Sequence, residues 1–311
     1  MPKVAFVFPG QGAQFVGMGK EMYEASSASR QIFDQADQVI PHLTEVIFNG
    51  PPEELTLTAY CQPAIFTVSI ACLKAIKAHP IFKNIQPSFA CGLSLGEYSA
   101  LAACGAMDFT ATLRLVERRS FLMEEATKLQ KGGMAAVIGF DKDRLFQICE
   151  ENQIQIANYN SPEQIVITGE KERVEKASLL IKEAGAKRVI PLEVSGAFHS
   201  VLMEPAAAKF EEELSKINFR ALEFSIISNV DALPSNNPIY IRKNLAKQIT
   251  SPVRWVETIE YIARQGVTHF LEIGPGTVLK GLIRKINPSL SVYNILQPED
   301  IEKLVLEESP R

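Results

Sequence analysis

The fold of this chain is decided by the stretch Ser88-Phe89-Ala90-Cys91-Gly92-Leu93-Ser94-Leu95-Gly96-Glu97. Residues 88 to 91 are typical of a short strand, and residues 97 to 104, closed by Gly105, are typical of a helix. Glycines two residues on either side of Ser94 permit the sharp strand-to-helix turn that exposes a serine hydroxyl. The helix N-terminus that follows favours a developing negative charge beside that hydroxyl. The stretch therefore predicts a nucleophile at Ser94.

The same five-residue pattern of glycines around a serine also occurs by chance. Its plain interpretation is a glycine turn that carries a solvated serine. The strand before the turn and the helix after it favour the catalytic interpretation.

Strands and helices alternate on both sides of this turn. Towards the N-terminus, the apolar run Val4 to Phe8, ended by Pro9-Gly10, predicts a strand buried on both faces of a parallel sheet. Residues 63 to 78 predict a buried helix with Pro63 at its first position. Near the C-terminus, His269 to Ile273 predicts a further apolar strand. This alternation is typical of an α/β fold.

The pattern changes after Lys131-Gly132-Gly133. From Met134 to Val194 the elements follow the order strand, helix, strand, strand, helix, strand, which is the split ferredoxin-like unit. We therefore predict an α/β catalytic core with a parallel sheet, residues 1–130 and 196–311, interrupted by an inserted ferredoxin-like (βαββαβ) domain, residues 131–195. The polar tail after Pro298 is predicted to be loosely held.

The composition limits the class of partner and the compartment. The formal net charge of −4 and the pI of about 5.7 argue against a nucleic-acid binder, whose binding face is basic. The five cysteines are odd in number and never form a Cys-x-x-Cys pair, so neither a disulfide framework nor a metal site is indicated. Reduced thiols in the cytoplasm are the expectation.

Neither a targeting signal nor a membrane segment is expected. The chain opens on Met1-Pro2-Lys3 without the basic region, the long apolar region and the cleavage site of a signal peptide. The most apolar later stretch, residues 64 to 76, contains Thr67, Ser69 and Lys74 and is shorter than the roughly 20 apolar residues of a membrane helix. It predicts a core helix.

A serine nucleophile needs a general base, and the chain has four histidines. His42 and His79 lie beside prolines in polar loop contexts, and His269 lies within an apolar strand, where a core role is more common. His199 remains, in Ser195-Gly196-Ala197-Phe198-His199-Ser200, where the chain re-enters the core after the inserted domain. Position therefore favours His199 as the base.

Arg119 lies on the apolar face of a helix predicted over residues 110 to 129, whereas Arg118 lies on its polar side. The other members of that face recur at helical spacing and are Thr112, Leu115, Val116, Leu122, Met123 and Ala126. Such an arginine can extend its head to solvent or pair with an internal carboxylate. Alternatively, its guanidinium binds a substrate carboxylate through two parallel hydrogen bonds, which would select a dicarboxylic acyl group.

The loop Pro9-Gly10-Gln11-Gly12-Ala13-Gln14 has a superficial likeness to a dinucleotide-binding loop. The Gly-x-Gly-x-x-Gly pattern requires glycine where Phe15 stands, and the acidic residue expected about 20 positions further on is missing. A turn that directs backbone N–H groups towards Ser94 accounts better for these glycines.

Several unrelated motifs of the chain occur in the order and at the spacings of one enzyme family. They are Gly10-Gln11-Gly12, Gln62-Pro63-Ala64, Gly92 to Glu97, Arg119, Gly196 to His199, and Gln248 with Pro252-Val253-Arg254-Trp255. Together they resemble the malonyl-CoA:acyl carrier protein transacylase family over nearly the whole chain. The resemblance implies an α/β-hydrolase-like core with a ferredoxin-like insertion, in agreement with the pattern of elements.

The resemblance also implies a role for each matching residue. Ser94 would be acylated, and His199 would deprotonate it and later protonate the departing thiolate. The backbone amides of Gln11 and Leu95 would form the oxyanion hole. Arg119 would bind the malonyl carboxylate.

Two further residues acquire roles in the same way. Gln248 would orient His199 through its backbone carbonyl, so that no acidic third member is required. Phe198, in the Gly-Ala-Phe-His form of the histidine motif, would crowd the extra methyl of a methylmalonyl unit, a discrimination of about 1 to 3 kcal/mol.

The implied activity is transfer of the malonyl group from malonyl-CoA to the phosphopantetheine thiol of holo acyl carrier protein, through a malonyl-serine, with no bound cofactor and no metal. The lack of a fused ketosynthase favours fatty-acid synthesis, and polyketide synthesis is the alternative. Because acyl carrier proteins are acidic, this mildly acidic chain needs a local basic patch. Lys187-Arg188 and the group of Lys280, Arg284 and Lys285 are the predicted docking positions.

Two other functions stay open at this point. A serine esterase or thioesterase shares the glycine turn and would use water instead of a carrier thiol, but it has no need of a buried cation such as Arg119. A module that binds carrier protein without catalysis would keep the fold, although the presence of Ser94, His199, Arg119 and Gln11 speaks against it.

Overall fold

Two β-sheets organise the chain in its computed structural model, which describes residues 3–194 and 196–304. The strands of the larger sheet are β1 (Val4–Phe8), β2 (Pro87–Gly92), β7 (Ser225–Ile227), β8 (Pro234–Ser235), β9 (His269–Ile273) and β10 (Ser291–Ile295). They lie in the order β10-β9-β1-β2-β7-β8, in which β8 runs antiparallel to β7 and the other neighbours are parallel. The strands of the smaller sheet are β3 (Gly132–Ile138), β4 (Gln155–Ser161), β5 (Gln164–Glu170) and β6 (Arg188–Pro191).

Helices cover both sheets. The α-helices of the described residues are α1 (Lys20–Ala25), α2 (Ser27–Val39), α3 (Leu43–Asn49), α4 (Pro52–Thr56), α5 (Thr58–Ala78), α6 (Gly96–Ala103), α7 (Phe109–Leu129), α8 (Lys142–Glu151), α9 (Lys171–Glu183), α10 (Glu204–Ser215), α11 (Pro238–Gln248), α12 (Trp255–Arg264), α13 (Val278–Ile286) and α14 (Pro298–Glu302). Short 3₁₀ turns occupy Pro80–Asn84 and Val201–Met203.

The central strand β1 separates two apolar cores. Its five residues are fully buried, as a continuous apolar run in a parallel sheet predicts. Because successive side chains of a strand point to opposite faces, Phe6 and Phe8 join the core formed with α2, α5, α6 and α7, whereas Ala5 and Val7 join the core formed with α12 and α13. The predicted α/β fold with a parallel sheet is confirmed.

Helix α5 differs from its predicted extent. It begins at Thr58 instead of residue 63, so Pro63 lies inside the helix. Pro63 lacks the N–H that would bond one turn back, and the local cost is offset because nearly every residue from Cys61 to Ile76 is buried in the core. The helix is long and apolar enough to cross a membrane, but 83% of its most apolar window is buried inside the molecule. It is the core helix that the sequence predicts.

The smaller sheet has the antiparallel order β4-β5-β3-β6, with α8 and α9 packed against it. This is the order of a ferredoxin-like unit, as the sequence predicts. The first residues of the ferredoxin-like unit lie against the segment that follows its last strand. A β-carbon on Gly132 would lie 2.1 Å from the backbone nitrogen of Ala197. We propose the division into a core of residues 1–130 and 196–311 and an insertion of residues 131–195 on this basis; Ser195 lies outside the described residues.

The prediction of a loosely held tail after Pro298 is wrong for residues up to 304. Helix α14 begins with a capping box formed by Gln297 and Asp300, and the side chains of Ile301 and Leu304 are buried in the core. Burial of these two apolar side chains explains why α14 packs against the core. Residues 305–311 of the tail lie outside the described residues.

Candidate active site

Ser94 lies in the sharp turn between β2 and α6, with a backbone φ of 52°. The flanking glycines are required by close approach of the backbone. A β-carbon on Gly92 would lie 2.0 Å from the carbonyl carbon of Gly96, and one on Gly96 would lie 2.1 Å from the carbonyl oxygen of Phe8. The turn therefore presses against the end of β1, and it carries Ser94 at the carboxyl edge of the larger sheet.

Asn229, in the loop that follows the neighbouring strand β7, holds this turn through its side chain. Its Oδ1 accepts a hydrogen bond from the Ser94 backbone N–H at 2.8 Å, and its Nδ2 donates to the Gly92 carbonyl at 2.7 Å. The sequence interpretation did not include Asn229. Its position two residues after β7, at the same edge of the sheet as Ser94, is the signal that would have indicated it.

His199 reaches the serine hydroxyl. Its Nε2 lies 2.8 Å from Ser94 Oγ, and its Nδ1 lies 2.9 Å from the Gln248 carbonyl oxygen and 3.0 Å from the Ser251 carbonyl oxygen. Because carbonyl oxygens only accept, the proton of the neutral ring resides on Nδ1 and leaves Nε2 free to accept one. Burial, and then the charge of Arg119, lowers the pKa of His199 to about 4, so the ring is neutral at pH 7.

Phe198 anchors the loop that carries His199. Its backbone carbonyl accepts a hydrogen bond from Thr168 Oγ1 of β5 at 2.9 Å. The phenyl ring is buried and lines the cavity above Ser94. The smaller sheet thus fixes the position of the histidine relative to the larger sheet.

Arg119 is fully buried on the inner face of α7, with the six residues of its predicted stripe. Its guanidinium donates to three uncharged acceptors, which are Gln62 Oε1 at 2.6 Å, Ser94 Oγ at 3.1 Å and Gln248 Oε1 at 3.2 Å. Among the described residues no ion pair of Arg119 is found, and its Nε has no hydrogen-bond partner. Burial lowers the pKa of Arg119, and the Tyr98 ring lies 5.2 Å from its Cζ.

Arg118, one residue away, has a different environment. Its side chain is 43% exposed and forms an ion pair with Glu213 at 3.3 Å. The helical spacing in the sequence therefore predicts correctly that Arg119 faces the interior and Arg118 faces the polar side of the helix.

Gln248, the last residue of α11, connects several of these groups. Its side-chain Nε2 donates to Glu97 Oε2 at 2.5 Å and to the Ser94 carbonyl at 3.0 Å, and its Oε1 accepts from Arg119. Glu97 is buried in the first turn of α6, and burial raises its pKa to about 7. Neither Glu97 nor Gln62 was assigned a role from the sequence, because nothing local in their motifs indicates their contacts.

A cavity of about 490 Å³ lies between the two sheets, above Ser94. Gln11 and Leu95 line it, and in the part of the chain that the structure describes, the backbone N–H of neither residue donates to a protein acceptor. The smaller sheet contributes Met134 and Val166 to the opposite wall. The cavity provides room for an extended thioester substrate with unpaired N–H donors beside the serine.

The basic residues predicted for docking lie outside this cavity. Lys280, Arg284 and Lys285 belong to α13, which lines the cavity through Val278 and Leu282. At helical spacing Lys280 and Arg284 lie on another face of α13, whereas Lys285 lies on the face of Val278, one turn beyond Leu282. Lys187 lies in the smaller unit, where it pairs with Glu163 at 3.4 Å, and Arg188 is exposed. The remaining predicted residues, from Gln11 to Gln248, are brought together around Ser94.

Comparison with known proteins agrees with this architecture. A family model described as an acyl transferase domain matches residues 5–296. The malonyl CoA-acyl carrier protein transacylase of Bacillus subtilis (strain 168) is 47% identical over 308 residues, which cover 97% of this chain and 96% of the relative. The crystal structure of an acyl-carrier-protein S-malonyltransferase from Bartonella henselae has a TM-score of 0.92 at 42% identity, covering 96% of this chain and 97% of that one.

A malonyl-transacylase solved in complex with the acyl carrier protein of a type II polyketide synthase is also similar, with a TM-score of 0.91, 40% identity, and coverage of 96% of this chain and 98% of that one. The fold and the matching family model are those of an acyl transferase. Sequence identity of 42 to 47% over nearly the full length places the chain in one family of acyl transferases. The chain belongs to the malonyl-CoA:acyl carrier protein transacylase family.

Proposed function

We propose that this protein transfers the malonyl group of malonyl-CoA to the phosphopantetheine thiol of acyl carrier protein, through a malonyl ester on Ser94. One observation carries the proposal: Ser94 Oγ lies within 2.8 Å of His199 Nε2 and 3.1 Å of Arg119 Nη2. A hydroxyl, a neutral base and a buried cation that has no carboxylate partner among the described residues therefore meet at one point. The transfer supplies fatty-acid elongation in the cytoplasm.

The first half-reaction forms the acyl-enzyme. His199 Nε2 takes the proton of the Ser94 hydroxyl as its Oγ attacks the thioester carbonyl carbon. The backbone N–H groups of Gln11 and Leu95 stabilise the oxyanion, a contribution of about 3 to 4 kcal/mol for one such donor. As the tetrahedral intermediate collapses, His199 returns the proton to the departing thiolate of coenzyme A.

The second half-reaction reverses these steps with another thiol. His199 takes the proton of the pantetheine thiol, the thiolate sulfur attacks the malonyl ester, and Ser94 leaves with the proton from His199. The imidazolium that forms in each half-reaction is stabilised through its Nδ1–H by the carbonyls of Gln248 and Ser251. These steps use protein groups, the malonyl-CoA thioester and the carrier thiol, and malonyl-CoA is a substrate and not a resident cofactor.

Selectivity for malonyl follows from Arg119. A malonyl carboxylate next to the guanidinium would pair with a cation that is already desolvated and whose hydrogen-bond partners in residues 3–194 and 196–304 are uncharged. Phe198, buried against the same cavity, would crowd a methyl on the central carbon of the acyl group.

Radiolabelled malonyl-CoA tests the proposal directly. The enzyme is incubated with it and digested, the labelled peptide is identified by mass spectrometry, and holo acyl carrier protein is then added to a second sample. We expect label on the peptide that contains Ser94, its transfer to the carrier protein, and no label in Ser94→Ala. Release of malonate to water at an undiminished rate without carrier protein would indicate a thioesterase instead, and absence of any covalent adduct would remove the serine-ester mechanism.

A further inference from the structure

Glu97 is a buried carboxylate that does not touch the cavity above Ser94. It lies in the first turn of α6 with 3% of its surface exposed. Its Oε2 accepts hydrogen bonds from Gln248 Nε2 at 2.5 Å and from the Asn229 backbone N–H at 3.2 Å. The mechanism above assigns it no role, although burying a carboxylate is costly unless it is well hydrogen-bonded.

The first contact acts together with the Arg119 donors and the Ser94 carbonyl to set which way the Gln248 amide points. Glu97 Oε2 accepts this hydrogen bond and a second one from the Asn229 N–H, so the NH₂ end of the amide faces Glu97 and its oxygen faces Arg119. In the reversed orientation the NH₂ would face the Arg119 donors and the oxygen would face the Ser94 carbonyl, which is also an acceptor. The backbone carbonyl of the same Gln248 holds His199.

The second contact fixes the loop that holds the nucleophile turn. The Asn229 backbone binds Glu97, and the Asn229 side chain binds the Ser94 N–H and the Gly92 carbonyl. A single carboxylate therefore holds both residues that secure the serine turn, and one of the two also orients the histidine. Small errors in this geometry are expensive, since misplacement of a reacting group by about 1 Å costs on the order of a hundredfold in rate.

We propose that Glu97 is a positioning residue for acyl transfer, which orients the Gln248 amide and the Asn229 loop so that His199 and Ser94 stay aligned. The inference rests on the proposed function, because alignment is defined by the attack of Ser94 on a thioester. It differs from a charge-balancing role towards Arg119, because alignment affects every acyl donor and charge balance affects only donors with a carboxylate.

Glu97→Gln is the first test, since it keeps the shape and replaces one carboxyl oxygen with an NH₂ donor. Single-turnover acylation is measured with malonyl-CoA and with acetyl-CoA, together with KM and the thermal midpoint. We expect the acylation rate constant to fall about tenfold or more with both donors while KM for malonyl-CoA changes less than about threefold. The matched control is Glu272→Gln, another fully buried glutamate, which caps α13 through the Leu279 and Lys280 N–H groups. It should lower stability and leave the rate constant unchanged.

A double-mutant cycle with Gln248→Met tests whether Glu97 acts through the Gln248 side-chain amide. Methionine keeps the backbone carbonyl that holds His199 and removes the amide that Glu97 orients. If Glu97 acts through this amide, Glu97→Gln should cost much less in the Gln248→Met background than in the parent. Should Glu97→Gln fail to fold, Glu97→Asp, which keeps the acceptor one methylene further away, takes its place in the cycle.

Three results would overturn the inference: parental rate constants in Glu97→Gln, a loss confined to malonyl, or full additivity with Gln248→Met. Failure of the proposed function is a separate outcome, because it would appear as the absence of a malonyl ester in the unaltered protein.

Discussion

The Arg119 guanidinium donates a hydrogen bond to the Ser94 hydroxyl at 3.1 Å. The cation thus lies next to the atom proposed to react, and its acceptors within the part of the chain that the structure describes are uncharged. A substrate carboxylate that enters this space finds a desolvated partner whose geometry is already set by Gln62 and Gln248. The same position of the charge also acts on His199, whose pKa it helps to lower.

Replacing Arg119 separates a malonyl transferase from a general serine acyltransferase. In Arg119→Ala the charge-assisted pair with malonyl is lost, which at a few kcal/mol lowers malonyl kcat/KM by about a hundredfold or more. Acetyl transfer should be unchanged or faster, because no unpaired buried cation opposes a neutral acyl group. Steady-state kinetics with both donors provides the measurement.

Two variants control this prediction. Arg119→Lys should recover only part of the activity, since one ammonium cannot reproduce a planar two-point contact. Arg118→Ala, half-exposed and paired with Glu213, should be nearly silent. Parallel loss of malonyl and acetyl transfer in Arg119→Ala would make the residue structural.

The acid limb of the rate profile should lie near the lowered pKa of His199, about 4, and not near 6.5. The base acts in its neutral form, so serine acylation persists as the pH falls to about 5 and is lost as it falls through about 4. Because the unfolded chain takes up this proton near pH 6.5 and the folded chain only near pH 4, this group lowers stability progressively as the pH falls from about 6.5 to 4, and circular dichroism must accompany the rate measurement.

Arg119 also offers a check on the cause of that shift. Arg119→Gln removes the second cause of the lowered pKa, so the acid limb should move to higher pH when acetyl-CoA is the donor. Arg118→Gln should leave the limb in place. A limb that stays at the same pH in Arg119→Gln would assign the whole shift to burial.

Gly96→Ala should destabilise the core strongly. The new β-carbon would meet the Phe8 carbonyl oxygen at 2.1 Å, and backbone atoms cannot move aside as a flexible side chain does. We expect a loss of at least about 2 kcal/mol in the free energy of unfolding, measured by urea denaturation. Gly281→Ala in α13 is the control: no atom of the described residues outside its own helix turn would lie within 4 Å of the new β-carbon, so it should stabilise the helix by about 0.5 to 1 kcal/mol. Equal stability of both variants would contradict the close approach at the turn.

Charge reversal on α13 tests the docking of carrier protein. In Arg284→Glu with Lys285→Glu, KM for acyl carrier protein should rise in a salt-sensitive manner, whereas KM for malonyl-CoA should not change. Lys187→Glu with Arg188→Glu tests the second predicted position in the same assay. Lys209→Glu is the control, because α10 packs on the core at the opposite face of the larger sheet. Equal effects on both substrates would remove the docking role.

Local signals in the sequence were sufficient for the main elements. The glycines around Ser94 predict a turn because only residues without a β-carbon allow two backbones to approach so closely, and the buried face of α7 follows from helical spacing alone. The order of strands and helices after Gly132 was enough to predict a ferredoxin-like unit. The start of α5 was misplaced because proline is favoured in the first turn of a helix, and only the surrounding core shows that it is tolerated further inside.

By itself, then, the sequence determined the reactive turn, the alternation of elements and the apolar face of α7 on which Arg119 lies, since each depends on residues close together in the chain. Only the tertiary structure decided which nitrogen of His199 faces Ser94, because two backbone carbonyls hold the other nitrogen and any residue type supplies a carbonyl. It also decided the partners of Glu97 and Asn229, which come from segments more than a hundred residues apart. Hydrogen bonds of this kind have no periodicity along the chain, so they become visible only when the two sheets are packed around the cavity.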